Sequence, residues 1–252
     1  MKAFYLKVLT FPARSATIVC DRSGAKFLKR TDISYTEEKM KIADRKLNIV
    51  CIGDSLTEGD YGVFGKRGIA NVHEQNYPYY LGKLTGNAVK NYGKCGFNAT
   101  TYLKYYESGA ADVKGSDLII VMLGTNGGLD ADTDAAGNAD YETLINSLKA
   151  DASEAQLVLC TPPHATSDPN KSNCGCVPQV KKAVEFVRAF ADKQGLPCIR
   201  ADLFPEFCEE NEDLMQPNDG LHFTEVGYGV MALEIARGLK KLADENKLVF
   251  KA

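Results

Sequence analysis

A serine at the end of an apolar strand is the first residue of this sequence with a clear chemical use. Ser55 follows the run Ile-Val-Cys-Ile-Gly-Asp at residues 49–54, so it lies where a buried strand should end. A serine hydroxyl is a poor nucleophile at neutral pH unless a base takes its proton and a third group orients that base. If Ser55 is a nucleophile, the chain must also supply a histidine and a carboxylate.

His222 is the best candidate for that base among the three histidines. His73 lies in a polar stretch and His164 follows two prolines, and neither has a carboxylate placed to form a local pair. His222 has Asp219 three residues upstream, with a glycine between them that permits a tight turn. Such a carboxylate can fix the tautomer of the ring and support the imidazolium. Alternatively, Asp219 caps a turn and His222 is a partly buried histidine, which is the commoner role of an isolated pair of this kind.

Four short segments make this sequence similar to the SGNH hydrolases, also called GDSL-type esterases and lipases. The segments are Gly53-Asp54-Ser55-Leu56, Asn91-Tyr92-Gly93-Lys94-Cys95-Gly96, Gly124-Thr125-Asn126, and the stretch from Asp219 to His222. Their order and spacing within residues 49–228 are far more specific than any one tetrapeptide. One departure is Gly127, where the family usually has an aspartate. If that aspartate braces the loop, Asn126 is held by something else here or is more mobile.

The resemblance implies a role for each matched residue. Ser55 is expected to be the nucleophile, His222 the general base and then the general acid, and Asp219 the residue that orients His222. The backbone N–H groups of Ser55 and Gly96 and the side-chain amide of Asn126 are expected to form an oxyanion hole, whose donors must be in place before charge develops. Taken alone, Gly96 could be an ordinary turn glycine and Asn126 a loop cap.

The loops beside these residues are expected to select the substrate. The candidate substrate-binding residues are Asp54, Tyr61 and Phe64, of which the two aromatic residues can act as stacking surfaces. Residues 127–140 and 162–173 form two further candidate loops. The first of them is rich in Asp, Gly and Ala and has few bulky apolar residues, which favours a short acyl group on a polar alcohol over a long-acyl groove. A flexible surface loop explains that composition equally well.

We therefore predict a serine esterase that hydrolyses small O-acyl esters, with an acetyl group and a carbohydrate-like alcohol as the expected substrate, through an acyl-enzyme on Ser55. One alternative is a lysophospholipase or thioesterase of the same family. Another is a carbohydrate-binding module with a residual site, suggested by Gly127 and by the first 46 residues, which the resemblance does not cover. The mechanism needs no cofactor, and the pair Cys174-Gly175-Cys176 lacks the second pair that a zinc site would require, so no metal is predicted.

Apolar runs alternate with amphipathic stretches along the chain, a pattern typical of a parallel sheet covered on both faces. The pattern predicts strands at 47–52, 88–92, 118–123, 157–160 and 197–201, and helices at 77–84, 100–107, 141–152, 177–194 and 225–242. The expected fold class is α/β, a three-layer α/β/α sandwich with a five-stranded mainly parallel sheet. The resemblance identifies this arrangement as the flavodoxin-like SGNH hydrolase fold. Ser55, Gly96 and Asn126 follow the carboxyl ends of successive strands, where open α/β sheets place their sites.

We predict two parts in the chain, an SGNH hydrolase domain at residues 47–252 and an N-terminal extension at residues 1–46. Within the extension, residues 6–9 and 17–20 are expected to form a small β-hairpin, and Ser34-x-x-Glu37 is a candidate capping box. The oligomeric state is left open.

The composition of the sequence indicates which kind of partner and which compartment to expect. The net charge of -3 and the lack of a basic cluster argue against nucleic-acid binding, so a small-molecule ester is the expected partner. No segment approaches the ~18 apolar residues of a membrane span. The eight cysteines are scattered and no signal peptide is recognised, which predicts reduced thiols and a cytoplasmic protein.

Overall fold

The computed structural model describes residues 7–11, 14–18, 40–59, 75–208 and 213–250. The chain divides into two compact units, Met1–Lys39 and Met40–Ala252. The boundary lies seven residues before the predicted start of the larger domain at residue 47, because the residues from 40 onward already contact that domain. The backbone N–H of Met40 donates to the carbonyl of Leu84, and Ile42 is buried.

The smaller unit contains two strands, β1 (Lys7–Phe11) and β2 (Arg14–Ile18), which pair antiparallel. The predicted hairpin is therefore present, with each strand a few residues closer to the intervening Pro12-Ala13 than expected. The candidate capping box at residues 34–37 lies outside the described residues.

The larger unit is built on a parallel sheet of five strands in the order β4-β3-β5-β6-β7. The strands are β3 (Asn48–Gly53), β4 (Ala88–Gly93), β5 (Leu118–Met122), β6 (Gln156–Cys160) and β7 (Cys198–Ile199). All five predicted strands are confirmed. The last is shorter than predicted because Ala201–Leu203 forms a turn of 3₁₀-helix instead of extending the strand.

Within the described residues, six α-helices accompany the sheet: α1 (Ser55–Glu58), α2 (Tyr77–Thr85), α3 (Ala99–Glu107), α4 (Ala136–Asp151), α5 (Val177–Gln194) and α6 (Glu225–Asp244). The five predicted helices are confirmed, and the hydroxyl of Thr224 caps α6 by accepting from the N–H of Gly227. Helix α4 begins five residues before its predicted start, with Gly137 packed so closely that a Cβ there would lie 2.1 Å from the carbonyl oxygen of Gly128. Small residues at this end permit the contact, but they carry no apolar periodicity that would predict a helix.

Strands β3, β5 and β6 are buried on both faces, as expected for parallel strands, whereas β4 at the edge of the sheet is largely exposed. Alternate residues of β3, β5 and β6 pack with α3, α4 and α5 in one core that includes Tyr102, Tyr141 and Phe186. Helices α2 and α6 contact each other, and α6 also contacts β7. No helix within the described part of the chain is long and apolar enough to cross a membrane.

The register of the sheet decides where the candidate site residues lie. Gly53 at the end of β3 is paired with Gly93 of β4 and Met122 of β5, so these three strands end at the same level. The strand order changes direction at this point, since β4 lies on one side of β3 and β5 on the other. In open α/β sheets such a switch point forms a crevice beyond the carboxyl ends of the strands.

Candidate active site

Ser55 is held at the first position of α1 by close packing around the end of β3. Asp54 caps this short helix, because its Oδ1 accepts from the N–H of Leu56 at 3.0 Å. A Cβ at Gly53 would lie 2.0 Å from the Oγ1 of Thr57, and one at Gly93 would lie 2.1 Å from the backbone nitrogen of Glu58. These two glycines therefore let both strands approach the helix that carries Ser55.

Asp219 and His222 share a tight turn, residues 218–222, that follows the described segment 213–217 and precedes α6. Gly220 adopts φ of +74°, a conformation that glycine reaches without strain. The Oδ1 of Asp219 accepts from the backbone N–H groups of Leu221 at 2.9 Å and of His222 at 2.7 Å. The Nδ1 of His222 lies 3.1 Å from each carboxylate oxygen of Asp219.

His222 contacts Ser55, although the two residues are 167 positions apart in the chain. The Nε2 of His222 lies 3.0 Å from the Oγ of Ser55. If Nδ1 carries the ring proton and donates to Asp219, Nε2 can accept the proton of the Ser55 hydroxyl. This geometry allows His222 to act as a general base toward Ser55.

The electrostatics of Asp219 suit the role of an ionised partner. Burial works against its ionisation, but the hydrogen bond and the charge of His222, with the N–H groups of the turn, outweigh burial and hold the pKa of this carboxyl below its usual value. An ionised Asp219 can stabilise the imidazolium that forms when His222 takes a proton.

Gly96 and Asn126 lie in two loops that contact each other beside Ser55. Gly96 has φ of +77°, and a Cβ there would meet no described atom within 4 Å, so its surroundings are open. The Nδ2 of Asn126 donates to the carbonyl of Phe97 at 2.9 Å. This bond occupies one of the two amide hydrogens of Asn126 and leaves the other for a ligand.

Glu58 ties the loop of Gly96 to the helix of Ser55. Its Oε2 accepts from the N–H of Cys95 at 2.6 Å, directly before Gly96. The amide of Asn91 also donates to the carbonyl of Thr57 at 2.8 Å. The loop is thereby fixed to α1 by side chains from both partners. Sequence analysis did not assign a role to Glu58, because a carboxylate after a strand carries no signal of its distant partner.

Gly127, the departure from the family pattern, is compensated by a residue of α5. The Nε2 of Gln179 donates to the carbonyl of Thr125 at 2.8 Å, next to Asn126. Gly127 adopts φ of +75°, and a Cβ there would approach the Oε1 of Gln179 to 3.2 Å. Asn126 is therefore held by Phe97 on one side, and its loop is held by Gln179 on the other. Gln179 has no counterpart in the sequence motifs.

Of the three candidate substrate-binding residues, Asp54 is the one that the structure describes. Asp54 is fully buried and caps α1, so its position does not present it to a substrate, and the expectation of direct binding is corrected. A polar residue between a strand and a candidate nucleophile resembles a ligand-binding residue in sequence, but the side chain of Asp54 turns inward to the helix N-terminus. Tyr61 and Phe64 lie outside the described residues, as does His73.

The candidate loop at residues 162–173 lies against the 218–222 turn. Backbone N–H groups of this loop donate to carbonyls of the turn, from Thr166 to Gly220 and from Asn173 to Asp219. His164 in the same loop lines a separate cavity of about 400 Å³ with Arg200 and Asp202. The loop thus supports the turn that carries His222, a role that sequence analysis did not predict.

Comparisons with known proteins agree with this architecture. The model of the GDSL-like lipase/acylhydrolase family matches residues 51–230. No protein of curated function matches the sequence. A lipase/acylhydrolase from Enterococcus faecalis is similar in structure, with a TM-score of 0.59 and 22% identity over 82% of this chain and 99% of its own.

Two further solved structures share the fold at lower identity. The M. smegmatis aryl esterase has a TM-score of 0.57 and 19% identity over 81% of this chain and 100% of its own. A carbohydrate acetylesterase family member from Sinorhizobium meliloti has a TM-score of 0.57 and 18% identity over 79% of this chain and 99% of its own. At these identities the likeness concerns the fold.

Proposed function

The chain belongs to the GDSL-like lipase/acylhydrolase family and is an ester hydrolase, and on that basis we propose that it cleaves small O-acyl esters through an acyl-enzyme on Ser55. The observation that carries the proposal is the contact of 3.0 Å between the Oγ of Ser55 and the Nε2 of His222, with Asp219 on the other ring nitrogen. A serine, a base and a carboxylate in this order have the geometry of a nucleophilic triad.

The proposed reaction has two steps. Ser55 attacks the ester carbonyl while His222 takes its proton, and the oxyanion is bound by the N–H groups of Ser55 and Gly96 and the amide of Asn126. The imidazolium then protonates the leaving alcohol and the acyl-enzyme remains. In the second step His222 takes a proton from water as it attacks the acyl group, and then returns a proton to Ser55 as the acid leaves.

We propose a short acyl group, acetyl in the first place, on a polar alcohol such as a sugar. The support is the Asp, Gly and Ala-rich composition of residues 127–140, which offers few bulky side chains to hold a long chain. Part of this segment is well anchored, since Asp130 pairs with Lys182 at 2.7 Å and accepts a hydrogen bond from Asn138 at its carbonyl. The carbohydrate acetylesterase family member among the structural neighbours is consistent with this choice.

The test is hydrolysis of p-nitrophenyl acetate, butyrate and octanoate by the wild type and Ser55→Ala. Ser108→Ala is a matched control, because Ser108 is exposed and follows the C-terminal end of α3, whereas Gly96 precedes the N-terminal end of that helix. We expect Ser55→Ala to lose hydrolysis and to resist labelling by a fluorophosphonate, while Ser108→Ala retains both. Acetylated monosaccharides then test the alcohol, with acetate release as the readout.

Other results would redirect the proposal. Equal hydrolysis by the wild type and Ser55→Ala would remove Ser55 from the mechanism. A preference for octanoate would favour a lysophospholipase or thioesterase. Binding of sugars without turnover of any ester would favour a carbohydrate-binding module.

We also propose a cytoplasmic location. Support comes from the thiols, since Cys51, Cys160 and the neighbouring Cys174 and Cys176 form no disulfide within the described part of the chain. Free thiols are typical of reducing compartments. Fractionation of the source cells with an antibody against this chain would test the proposal.

A further inference from the structure

The carboxylate of Asp219 is bound from two directions. Its Oδ1 accepts from N–H groups of its own turn, those of Leu221 and His222. Its Oδ2 accepts from the side-chain amide of Asn173 at 2.9 Å. Among the residues that the structure describes, Asn173 is the one hydrogen-bond partner of this carboxylate from outside the 218–222 turn.

Asn173 is itself fixed relative to that turn by backbone contacts. Its own N–H donates to the carbonyl of Asp219 at 3.1 Å. Two further N–H groups of the segment 166–173 donate to neighbouring carbonyls of the turn, from Ser172 to Asn218 at 3.0 Å and from Thr166 to Gly220 at 2.9 Å. The two segments approach so closely that a Cβ at Gly220 would lie 2.0 Å from the Cγ2 of Thr166. The amide of Asn173 is therefore presented to Asp219 by a rigid backbone frame.

Removal of this amide leaves Oδ2 poorly satisfied. The side chain of Asp219 is only 6% exposed and that of His222 only 13%, so water has little access to the carboxylate. The Nδ1 of His222 lies at the same distance from Oδ1 and Oδ2, so the carboxylate needs other donors to hold its plane. Without Asn173, the donors to Asp219 in the described part of the chain are the ring of His222 and the two backbone N–H groups on Oδ1, and of these the backbone groups alone resist rotation about the Cβ–Cγ bond.

We propose that Asn173 is a positioning residue, whose amide holds the Asp219 carboxylate in the orientation that keeps His222 aimed at Ser55. The inference rests on the proposed function, because it assumes that Ser55, Asp219 and His222 carry the reaction. Asn173 touches neither Ser55 nor the reacting atoms in this role. Its effect passes through Asp219 to the ring of His222.

Two substitutions test whether Asn173 acts as a hydrogen-bond donor or only fills space. Asn173→Asp keeps the shape but replaces the donor with a like-charged acceptor beside Asp219. Asn173→Ala removes the donor without adding a charge. A positioning donor predicts that activity falls in the order wild type, Asn173→Ala, Asn173→Asp. A space-filling residue predicts that Asn173→Asp is the more active of the two variants.

The experiment measures kcat and KM for p-nitrophenyl acetate, the rate of labelling by a fluorophosphonate, and thermal unfolding. Ser172→Ala is the matched control, because Ser172 is exposed and its contact with the turn is made by the backbone. We expect Asn173→Ala to lower kcat and the labelling rate by about tenfold to a hundredfold, the range for one hydrogen bond to a charged group, with KM changed by less than about threefold. Ser172→Ala should match the wild type.

The outcomes distinguish this inference from the proposed function. Asn173→Ala and Asn173→Asp with the kcat and labelling rate of the wild type would overturn the positioning role while Ser55→Ala still loses hydrolysis. The order wild type, Asn173→Asp, Asn173→Ala would also overturn it. If either variant fails to fold, the proton resonance of His222 Nδ1 in the other variant decides, since loss of its low-field position supports the role and retention contradicts it. Hydrolysis that persists in Ser55→Ala would instead refute the proposed function.

Discussion

Asp54 is a buried carboxyl whose ionisation should weaken the folded state above about pH 6. It is fully buried beside Ser55, and burial raises its pKa from 3.8 to about 6, with a partial offset from the Leu56 N–H, from Thr125 and from the charge of His222. Its Oδ2 and the Oγ1 of Thr125 are neighbours, yet within the described residues neither atom has a partner at hydrogen-bond geometry. The ionised form therefore lacks a full set of donors.

The direction in which stability changes with pH follows from the pKa of Asp54 in the unfolded chain and its pKa in the folded chain. Below pH 3.8 the carboxyl is protonated in both the folded and the unfolded chain. Between 3.8 and about 6 the unfolded chain releases the proton while the folded chain still binds it, so the free energy of unfolding falls as pH rises. The decrease is complete above about pH 6, and the difference between the two pKa values corresponds to about 3 kcal/mol.

Asp54→Asn should abolish this loss. The amide oxygen can still accept from the N–H of Leu56, and the new NH₂ group can donate to the Oγ1 of Thr125. We expect the stability of Asp54→Asn relative to the wild type to increase by about 2 kcal/mol between pH 4 and pH 7.5, since part of the total difference already develops below pH 4. Urea unfolding followed by circular dichroism across this range measures the difference directly.

The matched control for this experiment is Asp112→Asn, which changes an exposed carboxyl. Its stability relative to the wild type should stay the same across the pH range. A difference between Asp54→Asn and the wild type that is equal at pH 4 and pH 7.5 would refute the reasoning. So would a relative stability of Asp54→Asn that falls as pH rises.

Substitutions at three further positions test the supports of the site. Asn126→Ala should lower kcat for p-nitrophenyl acetate about a hundredfold to a thousandfold with little change in KM, and an unchanged kcat would exclude its amide from the oxyanion hole. Gln179→Ala removes the donor to the carbonyl of Thr125 and should lower kcat about tenfold, a loss that the isosteric Gln179→Glu should reproduce; normal kcat in both would show that the loop needs no such brace. Gly220→Ala places a methyl group against Thr166 at a positive φ and should reduce the free energy of unfolding by about 2 kcal/mol in calorimetry, and wild-type stability would contradict the close approach.

Much of the fold could be predicted because its signals are local. The apolar runs of β3 and β5 are buried on both faces and read as strands directly, and the bounds of α5 were predicted without error. The errors concern places where packing overrides the local pattern. Helix α4 begins among small residues that fit against Gly128, and β7 is shortened by a 3₁₀ turn.

The sequence alone determines the residues of the proposed chemistry, because their spacing within short segments carries the signal. Ser55 follows a strand, Asp219 and His222 share one turn, and the register of a parallel sheet brings Gly96 and Asn126 to the same edge. None of these inferences needs a distance between remote parts of the chain.

Only the tertiary structure decides which residues support that chemistry. Asn173, Gln179 and Glu58 meet partners 46, 54 and 37 residues away in the chain, and each is a common polar residue in a helix or loop. Such a residue has the same local sequence pattern whether it faces solvent or a buried carboxylate, because a hydrogen bond depends on distance and angle in space. The burial of Asp54 could not be predicted for the same reason. Its desolvation depends on residues that lie close in space, and the linear sequence does not show which residues these are.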